Sequence, residues 1–143
     1  MFFAFFYKSW SYLNVVIRDI GVFLALVEYC SFLATALMNP GLVGKNYWLE
    51  NFDAKRTPVQ YYQICRRCRI VVDLNKKVEH CESCDVCVEG NDHHCPWTSK
   101  CIGKNNLKCF YMFVVMLFVC IFYGMFAVIT VAINETKNLR QQK

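Results

Sequence analysis

The most constraining feature of the sequence is a dense group of sulfur and imidazole side chains between Cys65 and Cys101. Seven of the ten cysteines and all three histidines lie within these 37 residues. They follow the order C-x2-C, then H-C-x2-C-x2-C, then D-H-H-C-P-W and a final cysteine. A structural zinc ion takes four such ligands, with cysteine bound as the thiolate. We therefore expect metal ligation to replace a hydrophobic core here, with little regular structure beyond short strands.

The number of ligands also predicts a reactive group. Two closed zinc sites use eight of the ten candidates, and the remaining two are most naturally one cysteine and one histidine. A thiol beside an imidazole is typical of an activated nucleophile, because the imidazole can take the thiol proton. The spacing alone leaves two assignments open. Either Cys95 is the spare thiol, or Cys95 is a zinc ligand and Cys101 is the spare.

Two other classes of protein fit the sequence less well. A secreted disulfide scaffold would also be rich in cysteine, but no cleavable signal peptide is recognisable. Close cysteine pairs with interleaved histidines favour metal binding in a reducing compartment. Eleven of the sixteen Lys and Arg and eight of the eleven acids lie between Asn39 and Lys108. Because this region is mixed in charge, we expect no nucleic-acid partner.

Two long apolar segments flank the cysteine-rich block. Hydrophobic residues make up 56% of the chain, and residues 15–38 and 110–133 are each long enough to cross a bilayer of roughly 30 Å. Glu28 lies within the first segment, where a carboxylate usually faces a helix bundle or a cavity. The alternative for this segment is a buried helix of a soluble protein. The second segment carries no charged side chain and argues against that alternative.

The sequence therefore predicts an ordered series of regions. Met1–Tyr7 is too short to span a bilayer and is interpreted as the remnant of an earlier helix, an interfacial segment or an uncleaved signal. The Lys and Arg excess between the two spans predicts a cytosolic position for the central loop. The predicted regions are residues 1–14 (helix remnant and short non-cytosolic loop), 15–38 (transmembrane helix), 39–64 (cytosolic connector opening with an Asn-Pro-Gly turn), 65–110 (zinc domain), 110–133 (transmembrane helix) and 134–143 (polar non-cytosolic tail).

The motifs together resemble the cysteine-rich domain of the DHHC protein S-acyltransferases, or palmitoyltransferases. The resemblance covers about a third of the chain closely. It rests on Cys65-x2-Cys68, His80-Cys81-x2-Cys84-x2-Cys87, Asp92-His93-His94-Cys95-Pro96-Trp97, Cys101, Gly103, Asn106 and Phe110. Asn39-Pro40-Gly41 is similar to the family's Asp-Pro-Gly after a membrane helix. The resemblance implies an α-helical integral membrane protein with a small, irregular two-zinc domain between its helices on the cytosolic side. The family usually has four transmembrane helices, and two are clear here.

The resemblance also implies roles for individual residues. It implies that one zinc ion is bound by Cys65, Cys68, His80 and Cys87, and the other by Cys81, Cys84, His94 and Cys101. It further implies that Cys95 is the nucleophile, His93 its base and Asp92 the group that orients His93. Because adjacent residues of a helix or strand cannot all face one point, we expect a metal-constrained turn at Asp92–Cys95.

The implied reaction is a two-step acyl transfer. Cys95 would accept a palmitoyl group from palmitoyl-CoA and pass it to a cytosolic cysteine of a membrane-associated protein. Nearby basic residues are candidates for binding the CoA phosphates, namely Arg66, Arg67, Arg69, Lys100 and Lys104. The endoplasmic reticulum, the Golgi and the plasma membrane all fit as locations.

The sequence departs from the family pattern in several places. Glu79 stands where a second histidine often precedes His80, the gap between Cys68 and His80 is longer than usual, and Thr98-Ser99-Lys100 replaces a Val-Asn-Asn type sequence. A fourth span and a Thr-Thr-x-Glu motif are not found, which suggests a fragment, a truncated gene model or a degenerate copy. The alternative function is therefore a catalytically silent, zinc-stabilised membrane module that binds partners or regulates a full-length relative.

Overall fold

The computed structural model describes residues 13–47 and 59–141. The expectations for Met1–Tyr7 and for the middle of the connector lie outside the described residues. The described elements are α1 (Val15–Leu37), β1 (Tyr62–Cys65), β2 (Ile70–Asp73), β3 (Glu79–Cys81), β4 (Val86–Val88), β5 (His93–Cys95), β6 (Lys100–Ile102) and α2 (Leu107–Gln141), with single 3-10 turns at Val59–Tyr61 and Leu74–Lys76.

Both helices are long and apolar enough to cross a membrane, with 23 residues in α1 and 35 in α2. The prediction that two apolar helices flank the cysteine-rich block is confirmed. No residue of α2 is buried over its described length, so most of its apolar side chains are exposed on the protein surface. The helix also continues to Gln141, through residues predicted only as a polar tail. These residues include no Gly or Pro, and adding a residue to an existing helix is far easier than nucleating a new one.

The chain divides into two compact units, Met1–Cys30 with Met112–Lys143, and Ser31–Tyr111. In the first unit, α1 and α2 pack against each other. The Tyr123 hydroxyl donates a hydrogen bond to the Ile17 carbonyl, and a Cβ at Gly21 would lie 3.1 Å from the Tyr123 ring. A small residue such as Gly21 allows two helices to approach closely.

The second unit contains three separate antiparallel hairpins, β1–β2, β3–β4 and β5–β6. Each strand has only three or four residues. The buried residues form two small clusters that mix aliphatic side chains with cysteines, Tyr47, Ile70, Val72, Val78 and Cys87 in one and Cys81, Val88 and Cys101 in the other. Such short, unconnected hairpins bury too little apolar surface to be stable alone.

A tight turn redirects the chain from α1 onto the hairpins. The side-chain oxygen of Asn39 accepts hydrogen bonds from the backbone N–H groups of Gly41 (2.9 Å) and Leu42 (2.8 Å). Gly41 has a φ of 113°, which glycine adopts without a steric penalty. The next residues pair with β4, because Val43 donates to the Cys87 carbonyl at 2.9 Å.

Polar side chains from the third hairpin and from the residue before α2 cover the carboxyl end of α1. Lys100 Nζ donates to the Ala36 carbonyl at 2.9 Å, and Asn106 Nδ2 donates to the Thr35 carbonyl at 3.2 Å. The last carbonyls of a helix lack partners within the helix, and a lysine there also interacts favourably with the helix dipole. These contacts attach the β5–β6 hairpin to the end of α1.

Candidate metal centres and candidate active site

The first cluster of ligand side chains contains Cys65, Cys68, His80 and Cys87, whose ligand atoms all lie within 4.8 Å of one another. Cys65 ends β1, and Cys68 lies in the turn that follows. His80 and Cys87 are directly opposite each other in the β3–β4 hairpin. His80 Nδ1 lies 3.7, 3.3 and 3.9 Å from the sulfur atoms of Cys65, Cys68 and Cys87.

The second cluster repeats this arrangement with Cys81, Cys84, His94 and Cys101. Cys81 ends β3, Cys84 lies in the next turn, and His94 is opposite Cys101 in the β5–β6 hairpin. His94 Nδ1 lies 3.7, 3.3 and 4.0 Å from the sulfur atoms of Cys81, Cys84 and Cys101.

Both clusters have the dimensions of a tetrahedral metal site. Zinc bonds of about 2.3 Å to sulfur and about 2.0–2.1 Å to nitrogen place these two ligand atoms about 3.6 Å apart. The observed nitrogen–sulfur distances of 3.3–4.0 Å bracket this value. All ten cysteines lie in the described part of the chain, and none forms a disulfide. The chain can therefore hold two metal ions, each with four protein ligands.

A carboxylate lies close to the first cluster, beside a histidine nitrogen that makes no hydrogen bond. His80 Nε2 lies 3.4 Å from Asp85 Oδ1, while its Nδ1 faces the three sulfur atoms. Metal-bound histidines usually present their second nitrogen to such a group, which fixes the ring orientation. The sequence motifs gave Asp85 no role, although an acid directly after the second cysteine of a C-x2-C pair is a usable signal.

The side chains of Asp92, His93 and Cys95, which belong to neither metal cluster, lie close together beside β5. Alternate residues of a strand point to opposite faces, so His94 faces the second cluster while His93 and Cys95 share the opposite face. Asp92 Oδ2 lies 2.9 Å from His93 Nδ1. The expectation of a metal-constrained turn at these residues was wrong, since His93–Cys95 forms a strand. A strand is sufficient because only His94 has to face the metal.

The surroundings of Cys95 and His93 favour a thiolate beside an imidazolium. Cys95 is 2% exposed. Burial alone would raise the pKa of its thiol, but hydrogen bonds from Thr98, His93 and the Trp97 backbone lower the pKa below its ordinary value. Burial would lower the pKa of His93, yet its hydrogen bonds with Asp92 and Cys95 raise that pKa. Both shifts favour the charged forms, as in cysteines paired with histidine.

The His93 ring is also held by an aromatic contact. The Phe110 ring, in the first turn of α2, packs edge-on against it with centroids 5.0 Å apart and an interplanar angle of 67°. Such T-shaped contacts are a preferred arrangement of ring pairs. Phe110 belongs to the motif that carries the family resemblance, but the sequence indicated no role for it.

Three of the five basic candidates for CoA binding have partners within the chain. Lys100 contacts Ala36, Lys104 Nζ lies 2.7 Å from Glu89 Oε1, and Arg67 lies 3.9 Å from Glu82. Arg66 and Arg69 are exposed in the turn between β1 and β2. These two arginines are therefore the better candidates for an external phosphate.

Comparison with known proteins gives a consistent result. The family model described as DHHC palmitoyltransferase matches residues 59–143. Palmitoyltransferase ERF2 of Kluyveromyces lactis is 35% identical over 105 residues, covering 62% of this chain and 29% of the relative. Palmitoyltransferase ZDHHC3 of Rattus norvegicus is 32% identical over 107 residues (73% and 34%). Palmitoyltransferase swf1 of Schizosaccharomyces pombe is 30% identical over 120 residues (81% and 32%).

The chain thus spans about a third of the length of these relatives. The family match nevertheless covers more than half of this chain, from the first hairpin through α2. It includes both metal clusters and the Asp92, His93 and Cys95 group. On this match, the chain belongs to the DHHC palmitoyltransferase family.

Proposed function

We propose that this chain carries the catalytic domain of a protein-cysteine S-palmitoyltransferase. Its substrates would be palmitoyl-CoA and a cysteine of a membrane-associated protein. The observation that carries the proposal is the Asp92–His93 pair, joined at 2.9 Å, with His93 on the same face of β5 as Cys95. The interaction of His93 with the Cys95 thiol lowers the pKa of that thiol. The names of the relatives support the same chemistry.

In the first step, His93 takes the proton of the Cys95 thiol. Asp92 holds the imidazole so that Nε2 faces the sulfur, and it stabilises the imidazolium that results. The thiolate attacks the carbonyl carbon of the acyl-CoA thioester, and the bond from that carbon to the CoA sulfur breaks. The CoA thiolate leaves and receives the proton from His93, so that Cys95 carries the acyl group as a new thioester.

In the second step, the acceptor protein takes the place of CoA. Its cysteine thiol gives a proton to His93 and attacks the carbonyl carbon of acyl-Cys95. The bond to the Cys95 sulfur breaks, and the His93 proton returns to that sulfur. One thioester replaces another in each step, so the protein mainly has to position the reactants and form the thiolate.

Zinc is the ion that best fits both clusters. Three cysteines and one histidine make a donor set typical of closed structural zinc sites, which leave no position for water or substrate. A bound ion would supply cross-links between hairpins and no reaction chemistry. His94 and Cys101 lie on β5 and β6, so the second cluster would fix the hairpin that carries Cys95.

The proposal also includes a membrane topology. The helices α1 and α2 would span the bilayer, with the hairpins on the cytosolic side where acyl-CoA and reduced thiols are found. Burying the acyl chain among apolar helices is worth about 0.8 kcal/mol per methylene. Membranes of the endoplasmic reticulum, the Golgi and the cell surface all satisfy these requirements.

The test is formation of the acyl-enzyme. The chain is expressed in membranes, supplied with alkyne-tagged palmitoyl-CoA and compared with the Cys95→Ser variant. We expect a hydroxylamine-sensitive label that is lost in Cys95→Ser. The matched control is Cys109→Ser, which removes a half-buried thiol near the start of α2 and should keep the label.

Two outcomes would contradict the proposal. A label that persists in Cys95→Ser would mean that another cysteine carries the acyl group. A chain that holds its metal ions but acquires no label would support the alternative function, a zinc-stabilised module that binds partners without catalysis.

A further inference from the structure

The three hairpins of the second unit share one plan. In each, the first strand ends at a cysteine, four turn residues follow, and the second strand begins at the residue that pairs with that cysteine. The pairs are Cys65 with Ile70, Cys81 with Val86, and Cys95 with Lys100.

The turns also agree in their backbone conformation. The fourth turn residue has a positive φ in every case, 56° at Arg69, 53° at Asp85 and 49° at Ser99. Positive φ is uncommon for residues other than glycine. Its recurrence at the same position indicates one turn geometry used three times.

The backbone acts on the first cysteine in the same way in all three turns. The N–H groups of the second and third turn residues lower the pKa of its thiol. They belong to Arg67 and Cys68 for Cys65, to Ser83 and Cys84 for Cys81, and to Trp97 and Thr98 for Cys95. In the first turn, the Cys68 N–H donates to the Cys65 sulfur at 3.5 Å. Backbone donors of this kind stabilise a thiolate, whether it binds a metal ion or acts as a nucleophile.

Each metal cluster takes its ligands from two consecutive hairpins. Each cluster combines the cysteine pair of one hairpin with the opposed His–Cys pair of the next hairpin. Cluster one joins Cys65 and Cys68 to the second hairpin, and cluster two joins Cys81 and Cys84 to the third. Among the described residues no hairpin follows the third, because α2 begins at Leu107. The third turn therefore has no opposed His–Cys pair to complete a site.

We propose that the turn Cys95–Ser99 is a third metal-type turn, kept free of metal by Thr98, and that its thiolate-holding geometry serves catalysis instead. Thr98 stands at the place of Cys68 and Cys84. It is buried, at 8% exposed, and its hydroxyl lies 3.5 Å from the Cys95 carbonyl oxygen. Thr98 thus leaves the third turn with one thiol where each of the other two turns has two. The use of this turn in the reaction rests on the proposed function, whereas the exclusion of metal does not.

The chemistry of the side chain explains the exclusion. A neutral hydroxyl is not among the ligands that zinc takes from proteins, which are thiolate, imidazole and carboxylate. A cysteine at position 98 would add a second thiolate beside Cys95 and the His93 imidazole. Three protein ligands are enough for zinc, as in catalytic zinc sites. A zinc ion bound there would coordinate the Cys95 sulfur and prevent it from attacking a thioester.

The first test counts metal ions in the full chain, purified in detergent. Thr98→Cys is compared with Ser99→Cys, which adds the same thiol one residue later at an exposed position. We expect two zinc ions per chain in the wild type and Ser99→Cys, and three in Thr98→Cys. Cobalt-substituted Thr98→Cys should show added thiolate-to-cobalt absorption. A Thr98→Cys chain with two ions and the wild-type cobalt spectrum would overturn the proposal.

A second matched pair decides the matter if Thr98→Cys fails to fold. Thr98→His puts an imidazole in place of the hydroxyl, and imidazole is also a zinc ligand. Ser99→His adds the same ring at the exposed neighbouring position. We expect three zinc ions per chain in Thr98→His and two in Ser99→His. Two ions in both variants would overturn the proposal.

The metal count separates this proposal from the proposed function. If the wild type forms no acyl-enzyme at all, the proposed function fails. The zinc content of the position-98 variants still decides whether the third turn has the metal-type geometry.

Discussion

Replacing Asn106 by aspartate tests how the third hairpin is attached to α1. Asn106 is fully buried. Its Nδ2 donates to the carbonyl oxygens of Thr35 (3.2 Å) and Cys101 (3.1 Å), and its Oδ1 accepts from the Gly103 N–H at 2.9 Å. Aspartate has the same shape and keeps the acceptor. It has no donor, however, and its second oxygen would face two carbonyl oxygens.

The expected cost follows from these contacts. Leaving a buried acceptor without its donor costs about 1–3 kcal/mol, and two acceptors are affected here. Burying an unpaired carboxylate adds to this cost. We expect the free energy of unfolding to fall by at least about 3 kcal/mol. For a chain of this size, that lowers the unfolding midpoint by roughly 10 °C.

The assay is thermal unfolding of the purified full chain in detergent, followed by the release of zinc to a chromogenic chelator. The control is Asn105→Asp, which makes the same charge change at an exposed neighbour whose backbone N–H contacts the Pro40 carbonyl. If Asn106→Asp unfolds at the same temperature as Asn105→Asp, the two donated hydrogen bonds do not hold the hairpin, and the reasoning is refuted.

Three further predictions concern packing and metal. Gly103→Ala should lower the free energy of unfolding by about 1–3 kcal/mol, because its Cβ would lie 2.6 Å from the Pro40 oxygen and from Val88. The matched control is Gly44→Ala, which should keep the wild-type unfolding midpoint because nothing lies within 4 Å of its Cβ. Equal unfolding midpoints for Gly103→Ala and Gly44→Ala would contradict the prediction. His94→Ala should lose one zinc ion and also the acyl label. His93→Ala should lose the label but keep both zinc ions. Metal analysis and acyl labelling of the two variants check this. Removing metal with a chelator should expose the hairpins to protease while helical circular dichroism persists. Hairpins that stay protected would show that metal does not stabilise them.

The chemistry of the two clusters could be predicted because it depends on residue type and short spacing. A C-x2-C pair brings two thiols close together in a turn, and few ions other than zinc suit three thiolates and an imidazole. The family resemblance supplied the assignment of ligands to the two clusters. The structure brings together the same two sets of four residues.

The arrangement around Cys95 was less predictable. The expected turn at Asp92–Cys95 proved to be a strand, because the sequence does not show that His94 and His93 have to face opposite ways. The correspondence of Thr98 with Cys68 and Cys84 becomes visible only because the three turns share one backbone conformation. The sequence alone shows only that a threonine lies three residues after Cys95.

The sequence by itself determined the two apolar helices, the metal-binding block between them and the family. These follow from local composition and spacing, which any fold of the chain has to satisfy. Only the tertiary structure decided how the third hairpin is attached to α1. Lys100 had the appearance of a phosphate ligand, yet it contacts Ala36, 64 residues earlier, and Asn106 contacts Thr35, 71 residues earlier. Contacts at such separations depend on how distant segments pack, because the carbonyls at the end of a helix take whichever donor the fold brings to them.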